Sequence, residues 1–287
     1  MLQSNSRMYN KLTRALILSA FIVCLVSCND EPEAEQKNAE QAPATPSKPD
    51  KEVIQPVLVN QFPHETSAYT EGLQFVDGVM YESTGQYGRS YVYKYELGAD
   101  KMMATYRLGN EYFGEGLTVM GDTVYVLTYK EHTGFMFDKN TFRLLGKFKI
   151  SAREGWGLTN DSTHLIYSDG TSALHFVDPK TKADIKTLQV SDQYGPVINI
   201  NELEYINGYI YANQYETEYI LKIDPANGKV VGLADLSRIR RQAGIADNRH
   251  IDGQPEVMNG IAYDRETNKI YITGKNWPKI LEVKLDN

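Results

Sequence analysis

Five short segments share one form, in which an acidic, amide or aromatic residue is followed by glycine or glutamate and then by leucine or isoleucine. They are Glu71-Gly72-Leu73, Glu115-Gly116-Leu117, Trp156-Gly157-Leu158, Asn201-Glu202-Leu203 and Asn259-Gly260-Ile261. Together with the neighbouring Tyr69 and Phe113 they form a polar set among aromatic rings. A carboxylate taken out of water costs desolvation energy unless it is hydrogen-bonded or used, and carboxyls in such places bind and release protons near neutral pH. Glu71, Glu115, Asn201, Glu202 and Asn259 are therefore candidate functional residues. Two readings stay open for each: use in chemistry, or hydrogen bonds to neighbouring backbone. For Gly72, Gly116, Gly157 and Gly260 close packing is the stronger reading. Other chemistries find no support, because the five histidines (64, 132, 164, 175 and 250) show neither HxH nor HExxH spacing. No Gly-x-Ser-x-Gly elbow, dinucleotide fingerprint or phosphate-binding P-loop occurs either.

The elements that must position these residues follow from a repeat. Leu73, Leu117, Leu158 and Leu203 lie 44, 41 and 45 residues apart, and a unit of about 40–45 residues holding four strands is the period of a propeller blade. Each opening leads through a turn into a Tyr-rich strand and then a third strand. Three units turn next at Asp138-Lys139-Asn140, Asp178-Pro179-Lys180 and Asp224-Pro225-Ala226, where Asp, in two cases followed by Pro, presets a β-turn. The expected fold is all-β, a five-bladed β-propeller over residues 53–287. The gap of 58 residues from Leu203 to Ile261 implies an insertion, and Asp235 to Ala246 reads as a short capped helix. The last unit has only three strands, so Val53–Phe62 is expected to close the last blade and leave no edge unpaired. In such a ring the five openings are innermost strands, and their starts converge at the mouth of the channel.

Composition agrees. The chain of 287 residues is 41% hydrophobic and 23% charged, as soluble globular proteins are. Twenty Tyr, nine Phe and two Trp favour strands. A net charge of −7 without a basic stripe argues against nucleic acid as a partner. The two cysteines, Cys24 and Cys28, both fall in the apolar stretch Ala15–Cys28, which leaves the body without a disulfide framework. That stretch is too short to span a bilayer but suits a signal peptide behind Arg7, Lys11 and Arg14. Leu25-Val26-Ser27-Cys28 resembles the bacterial lipobox, so residues 1–28 are expected to be a lipoprotein signal with Cys28 as the lipidation site. Residues 29–52, rich in Glu, Ala, Pro, Gln and Lys, read as a solvated tether.

The body also resembles a known family, the plant-type glutaminyl cyclases or glutamine cyclotransferases, which occur in bacteria too and are five-bladed propellers. The likeness runs from about Phe62 to Leu285. It is carried by Phe62-Pro63-His64, Tyr69-Thr70-Glu71-Gly72-Leu73, Glu82-Ser83-Thr84-Gly85 with Tyr87-Gly88-Arg89-Ser90, and Phe113-Gly114-Glu115-Gly116-Leu117-Thr118. Gly155-Trp156-Gly157-Leu158, Ser168-Asp169-Gly170-Thr171-Ser172, Asn201-Glu202-Leu203-Glu204-Tyr205, Asn259-Gly260-Ile261-Ala262 and Thr273-Gly274-Lys275 with Trp277-Pro278-Lys279 continue it.

The resemblance implies cyclisation of an N-terminal glutaminyl residue of a peptide to pyroglutamyl, with loss of ammonia and no cofactor or catalytic metal. The α-amine must give up a proton, the tetrahedral oxyanion must be stabilised, and the leaving nitrogen must gain a proton. One carboxyl can serve as base and then as acid. Glu115 matches the family's catalytic Glu, and burial among Phe113, Trp156 and Tyr129 would raise its pKa as the task requires. Lys275 matches a site lysine that would stabilise the oxyanion or hold the substrate carbonyl, with a rim salt bridge as the competing reading. Asn201 matches the residue holding the substrate amide, and Tyr69, Phe113, Tyr129, Trp156 and Tyr215 match an aromatic wall. Glu71 matches a polar position near the amine. Plant members carry Gln there, and Trp at Tyr129 and Tyr215, departures that bear on pH optimum and substrate preference.

Two other functions compete: a non-catalytic propeller binding a peptide or glycan, and a lactonase-type propeller with Glu71, Asn201 and Asn259 around a divalent ion. The expected setting is a monomer at the cell envelope, held to the membrane by a lipid on Cys28. Replacing Cys28 by Ser is expected to move the protein from the membrane to the soluble fraction on cell fractionation; retention in the membrane would refute the anchor.

Overall fold

The computed structural model describes residues 51–99, 101–246, 250–251 and 254–285. The expected signal, lipobox Cys28 and nearly all of the tether lie outside them. Five antiparallel sheets account for most of the strands. Blade 1 comprises Thr70–Val76, Val79–Thr84, Tyr91–Glu96 and Ala104–Arg107, and blade 2 Gly114–Met120, Thr123–Thr128, Thr133–Asp138 and Leu144–Lys149. Blade 3 is built of Leu158–Asn160, Leu165–Ser168, Ala173–Val177 and Asp184–Gln189, and blade 4 of Ile200–Ile206, Tyr209–Gln214, Tyr219–Ile223 and Val230–Asp235. Met258–Asp264, Lys269–Gly274 and Lys279–Lys284 start blade 5, and Val57–Pro63 completes it from the other end of the sequence. The innermost strand of each blade packs against that of the next, and blade 5 against blade 1. The protein is a five-bladed propeller.

The repeated leucines set the period because each fills one seam between blades. Five apolar clusters of described residues lie one in each seam, and Leu73, Leu117, Leu158, Leu203 and Ile261 belong to a different one each. Innermost strands are covered on both faces and are buried almost throughout, whereas outermost strands such as Val57–Pro63 alternate toward solvent. At the axis the strands come closer than a side chain allows. A Cβ on Gly72 would stand 2.3 Å from Leu117 N, on Gly116 2.3 Å from Leu158 N, and on Gly157 2.0 Å from Asn201 O. Packing thus explains these glycines, as expected. Glu202 spans the same crowded centre, its Oε1 accepting from Leu73 N at 3.1 Å and its Oε2 from Ile261 N at 2.8 Å. For Glu202, hydrogen bonding to neighbouring blades is the reading that holds.

The N-terminal strand differs in detail from its expected form. Glu52–Ile54 pairs in parallel with Val230–Asp235 on the outside of blade 4, and only Val57–Pro63 pairs with Lys279–Lys284 in blade 5. The division falls at Pro56, which has no N–H to give a ladder. The helix is shorter than its expected span, Ser237–Gln242, and Leu236 at its N-cap makes no side-chain cap bond. Asp235 Oδ1 instead accepts from Ser237 N at 2.9 Å, one residue upstream. Two small strand pairs in the linkers, Ser191–Asp192 with Gly195–Pro196 and His250–Ile251 with Gln254–Pro255, lie outside the repeat that the sequence announces.

A buried ion pair fastens the closure. His64 follows the closing strand, and its Nε2 lies 3.1 Å from Glu82 Oε1 in blade 1, while Nδ1 meets Trp277 O of blade 5 at 2.7 Å. Glu82 also accepts from Thr70 Oγ1 and Tyr95 Oη, each at 2.7 Å. Burial would lower the His64 pKa, but the Glu82 charge and hydrogen bond outweigh it and hold it above its ordinary 6.5. Burial would raise Glu82, and His64 with the two hydroxyls outweighs that and holds it below 4.5. The histidine's contribution to stability is therefore full below pH 6.5 and fades as pH climbs through its raised value. The glutamate's is full above pH 4.5 and fades as pH falls through its lowered value. His64→Ala, which strands a buried carboxylate, is expected to cost about 3–5 kcal/mol. Denaturant unfolding should find the largest loss between pH 4.5 and 6.5, with a smaller one on either side.

Candidate active site

Four of the five innermost strands slip register where they begin: between Thr70 and Gly72, Gly114 and Leu117, Ile200 and Leu203, and Met258 and Ile261. A bulge re-aims the side chains it carries. These bulges carry Glu71, Glu115, Asn201 and Asn259. In blade 3 the strand starts only at Leu158, so Trp156 precedes it, fixed by its N–H to Ser168 O at 3.0 Å and its carbonyl from Gly116 N at 2.7 Å. All nine residues expected at the substrate site, Tyr69, Glu71, Phe113, Glu115, Tyr129, Trp156, Asn201, Tyr215 and Lys275, line one cavity of about 380 Å³. Tyr87 lines it as well.

Three ionisable groups, Glu71, Glu115 and Lys275, form its floor. Lys275 Nζ donates to Glu71 Oε1 at 2.5 Å, and Asn259 Nδ2 donates to Glu71 Oε2 at 3.2 Å. The Glu115 carboxyl lies beside that of Glu71 in the cavity lining, close enough for the Glu71 charge to raise its proton affinity. Burial pushes both carboxyls upward; Glu115 rises well above the usual range, driven further by the Glu71 charge, while Lys275 draws Glu71 back down. Lys275 is only 4% exposed and sits over the Tyr69 and Tyr215 rings, 4.5 and 5.4 Å from their centroids. The rim salt bridge is thereby ruled out, for the lysine lies in a buried ion pair at the axis. Its backbone N–H bonds Val257 O at 2.9 Å. Burial pushes the Tyr215 phenol up to about 12 and Tyr69 higher still, so both rings stay neutral. Asn201, 2% exposed, keeps an Oδ1 with no hydrogen-bond partner among the described residues, and such a buried acceptor calls for a donor.

The walls are aromatic rings seated on glycines. Phe113 meets Tyr69 edge-on at 6.3 Å, Tyr87 at 5.4 Å and Tyr129 at 5.7 Å, and Trp156 meets Tyr215 at 5.6 Å. A Cβ on Gly85 would lie 2.3 Å from the Phe113 ring, and one on Gly170, whose φ is +79°, 2.6 Å from Trp156. Rim carboxylates hold the rings from outside. Glu131 accepts from Tyr87 Oη at 2.8 Å and from Phe113 N at 3.4 Å, and Glu154 accepts from Trp156 Nε1 at 3.1 Å. Lys130 joins the rim, 3.5 Å from Glu154 and 4.3 Å from the Tyr129 centroid. Tyr87, Lys130, Glu131 and Glu154 escaped the sequence reading. Tyr87 lies in the Gly85–Ser90 stretch and was within reach of it, but no pattern marks the other three.

A propeller whose mouth encloses a carboxyl pair, a lysine and an aromatic wall has the apparatus for proton transfer on a small polar substrate. Comparisons narrow the class. The family model for glutamine cyclotransferases matches residues 25–285. A glutaminyl-peptide cyclotransferase of Arabidopsis thaliana is 37% identical over 235 residues, covering 79% of this chain and 70% of its own length. The crystal structure of Myxococcus xanthus glutaminyl cyclase superposes with a TM-score of 0.75 at 37% identity, covering 82% of this chain and 98% of that one. The chain belongs to the glutamine cyclotransferase family and is an enzyme of that class.

Removing the cation tests the electrostatics of the floor. Lys275→Met leaves two buried carboxyls without their ammonium partner, a loss expected to cost about 3–5 kcal/mol at pH 8. Carboxyls whose pKa values are raised take up protons as pH falls, and a neutral acid needs no counter-ion. Denaturant unfolding at pH 5 should therefore show a clearly smaller difference from the wild type than at pH 8.

Proposed function

We propose that the enzyme cyclises N-terminal glutaminyl residues of peptides to pyroglutamyl, releasing ammonia, with Glu115 carrying both proton transfers and no step assigned to a metal. The observation that bears most weight is the position of Glu115. It is a buried carboxyl of raised proton affinity on the cavity floor, beside a glutamate that itself pairs with a lysine. The reaction moves one proton from the attacking amine to the departing nitrogen, and a carboxyl of raised pKa can both hold and release that proton. Lys275 spends one of its three N–H groups on Glu71, and the others are available to the oxyanion. Asn201 Oδ1 is an acceptor for an N–H of the substrate amide. Tyr69, Phe113, Tyr129, Trp156 and Tyr215 enclose the glutaminyl side chain and exclude water, which strengthens each of these interactions. The same reading has the enzyme act as a monomer at the cell envelope, tethered through a lipid on Cys28.

Ammonia release from a Gln-initiated dipeptide, measured with and without chelator, tests this directly. Activity should persist in chelator, and Glu115→Gln should lower kcat by at least about a hundredfold. Full activity in Glu115→Gln would remove the acid/base assignment. Silence on several Gln-peptides would favour a binding propeller instead.

A further inference from the structure

Glu71 is the most firmly tied side chain of the cavity. It is 1% exposed, takes Lys275 Nζ on one oxygen at 2.5 Å and Asn259 Nδ2 on the other at 3.2 Å, and lies beside the Glu115 carboxyl in the cavity lining. Two carboxylates side by side and out of water repel each other, so such a pair keeps a proton on one of its members. The donors that favour the charged form, an ammonium and an amide, are directed at Glu71. The proton belongs on Glu115.

Resting on the cyclotransferase reading, we propose that Glu71 is a positioning residue: as the ionised member of the pair it keeps Glu115 protonated in the free enzyme, so that Glu115 acts first as acid and then as base. This reverses the order expected from sequence. The lone pair of the neutral α-amine forms the new bond to Cδ, and Glu115 gives its proton to the carboxamide nitrogen. The old C–N bond breaks, ammonia leaves with that nitrogen, and the surplus proton of the new ring nitrogen returns to Glu115. Protons balance, and Glu115 ends as it began. The groups that face the pair are Lys275 and Asn259 from blade 5, Tyr69 from blade 1 and Tyr215 from blade 4, and both phenols stay neutral. Glu131 adds a more distant negative charge that also favours the proton on Glu115.

Glu71→Gln keeps the shape and removes the charge, which leaves Lys275 facing Glu115 as the remaining floor carboxyl. Like charge raises a carboxyl pKa and an unshared cation lowers it. In the pH profile of kcat/KM for a Gln-dipeptide, the alkaline limb should move to lower pH by at least one unit. The acid limb, set by the substrate amine near about 7.7–8.0, should stay, and the melting temperature should hold. Infrared titration of the substrate-free protein gives a second readout. The wild type should keep a buried protonated-carboxyl band at pH 7 that Glu71→Gln loses. An unmoved alkaline limb with only KM raised, or a band unchanged by the substitution, overturns the proposal and makes Glu71 a substrate contact. If the wild type released no ammonia from Gln-peptides the cyclotransferase reading would fail, and the infrared band would still decide where the proton resides.

Discussion

The crowding of the axis governs this structure. Five strands meet where Gly72, Gly116 and Gly157 leave no room for even a methyl group, and four of the five bulge as they begin. A bulge cannot keep every side chain in the ordinary in-and-out alternation. Glu71, Glu115, Asn201 and Asn259 are therefore turned together into one space, away from bulk water. Packing that serves the ring also produces the low-dielectric setting that raises the pKa of a carboxyl. Fold and chemistry here have one cause.

Much of this was legible because a propeller writes its period into the chain. Leu73, Leu117, Leu158, Leu203 and Ile261 each fill a separate seam, so their regular spacing reported blade count directly. Residues beside them inherit that register, which is why Glu71, Glu115, Trp156 and Asn201 stood out, whereas Tyr129, Tyr215 and Lys275 were named through the family resemblance. What stayed hidden depends on contacts between loops. Glu131 and Glu154 matter through Tyr87, Phe113 and Trp156, and no periodicity links them. The Lys275–Glu71 pair joins residues 204 apart, so the lysine's place in the ring was apparent while its partner was not. The division of the first strand turned on a single residue, Pro56, whose effect on the ladder is local.

The aromatic wall shows how a pocket made of turns stays rigid. Gly85 and Gly170 give the Phe113 and Trp156 rings flat seats, and rim carboxylates hold those residues from the solvent side. Each ring is thus fixed on two sides before any ligand arrives, which lowers the entropy that binding must overcome.

The closing strand has a consequence for how the molecule is made. Val57–Pro63 leaves the ribosome about two hundred residues before its partner Lys279–Lys284. Blades 1 to 3 have their strands from one continuous stretch each, but the fifth must wait until Lys279–Lys284 has been made. Through that interval the early segment has an unmatched row of amides, the kind of edge that invites pairing with the wrong chain. Its charged and polar neighbours Lys51, Glu52, Asn60 and Gln61 are the residues that would discourage such mispairing during the delay.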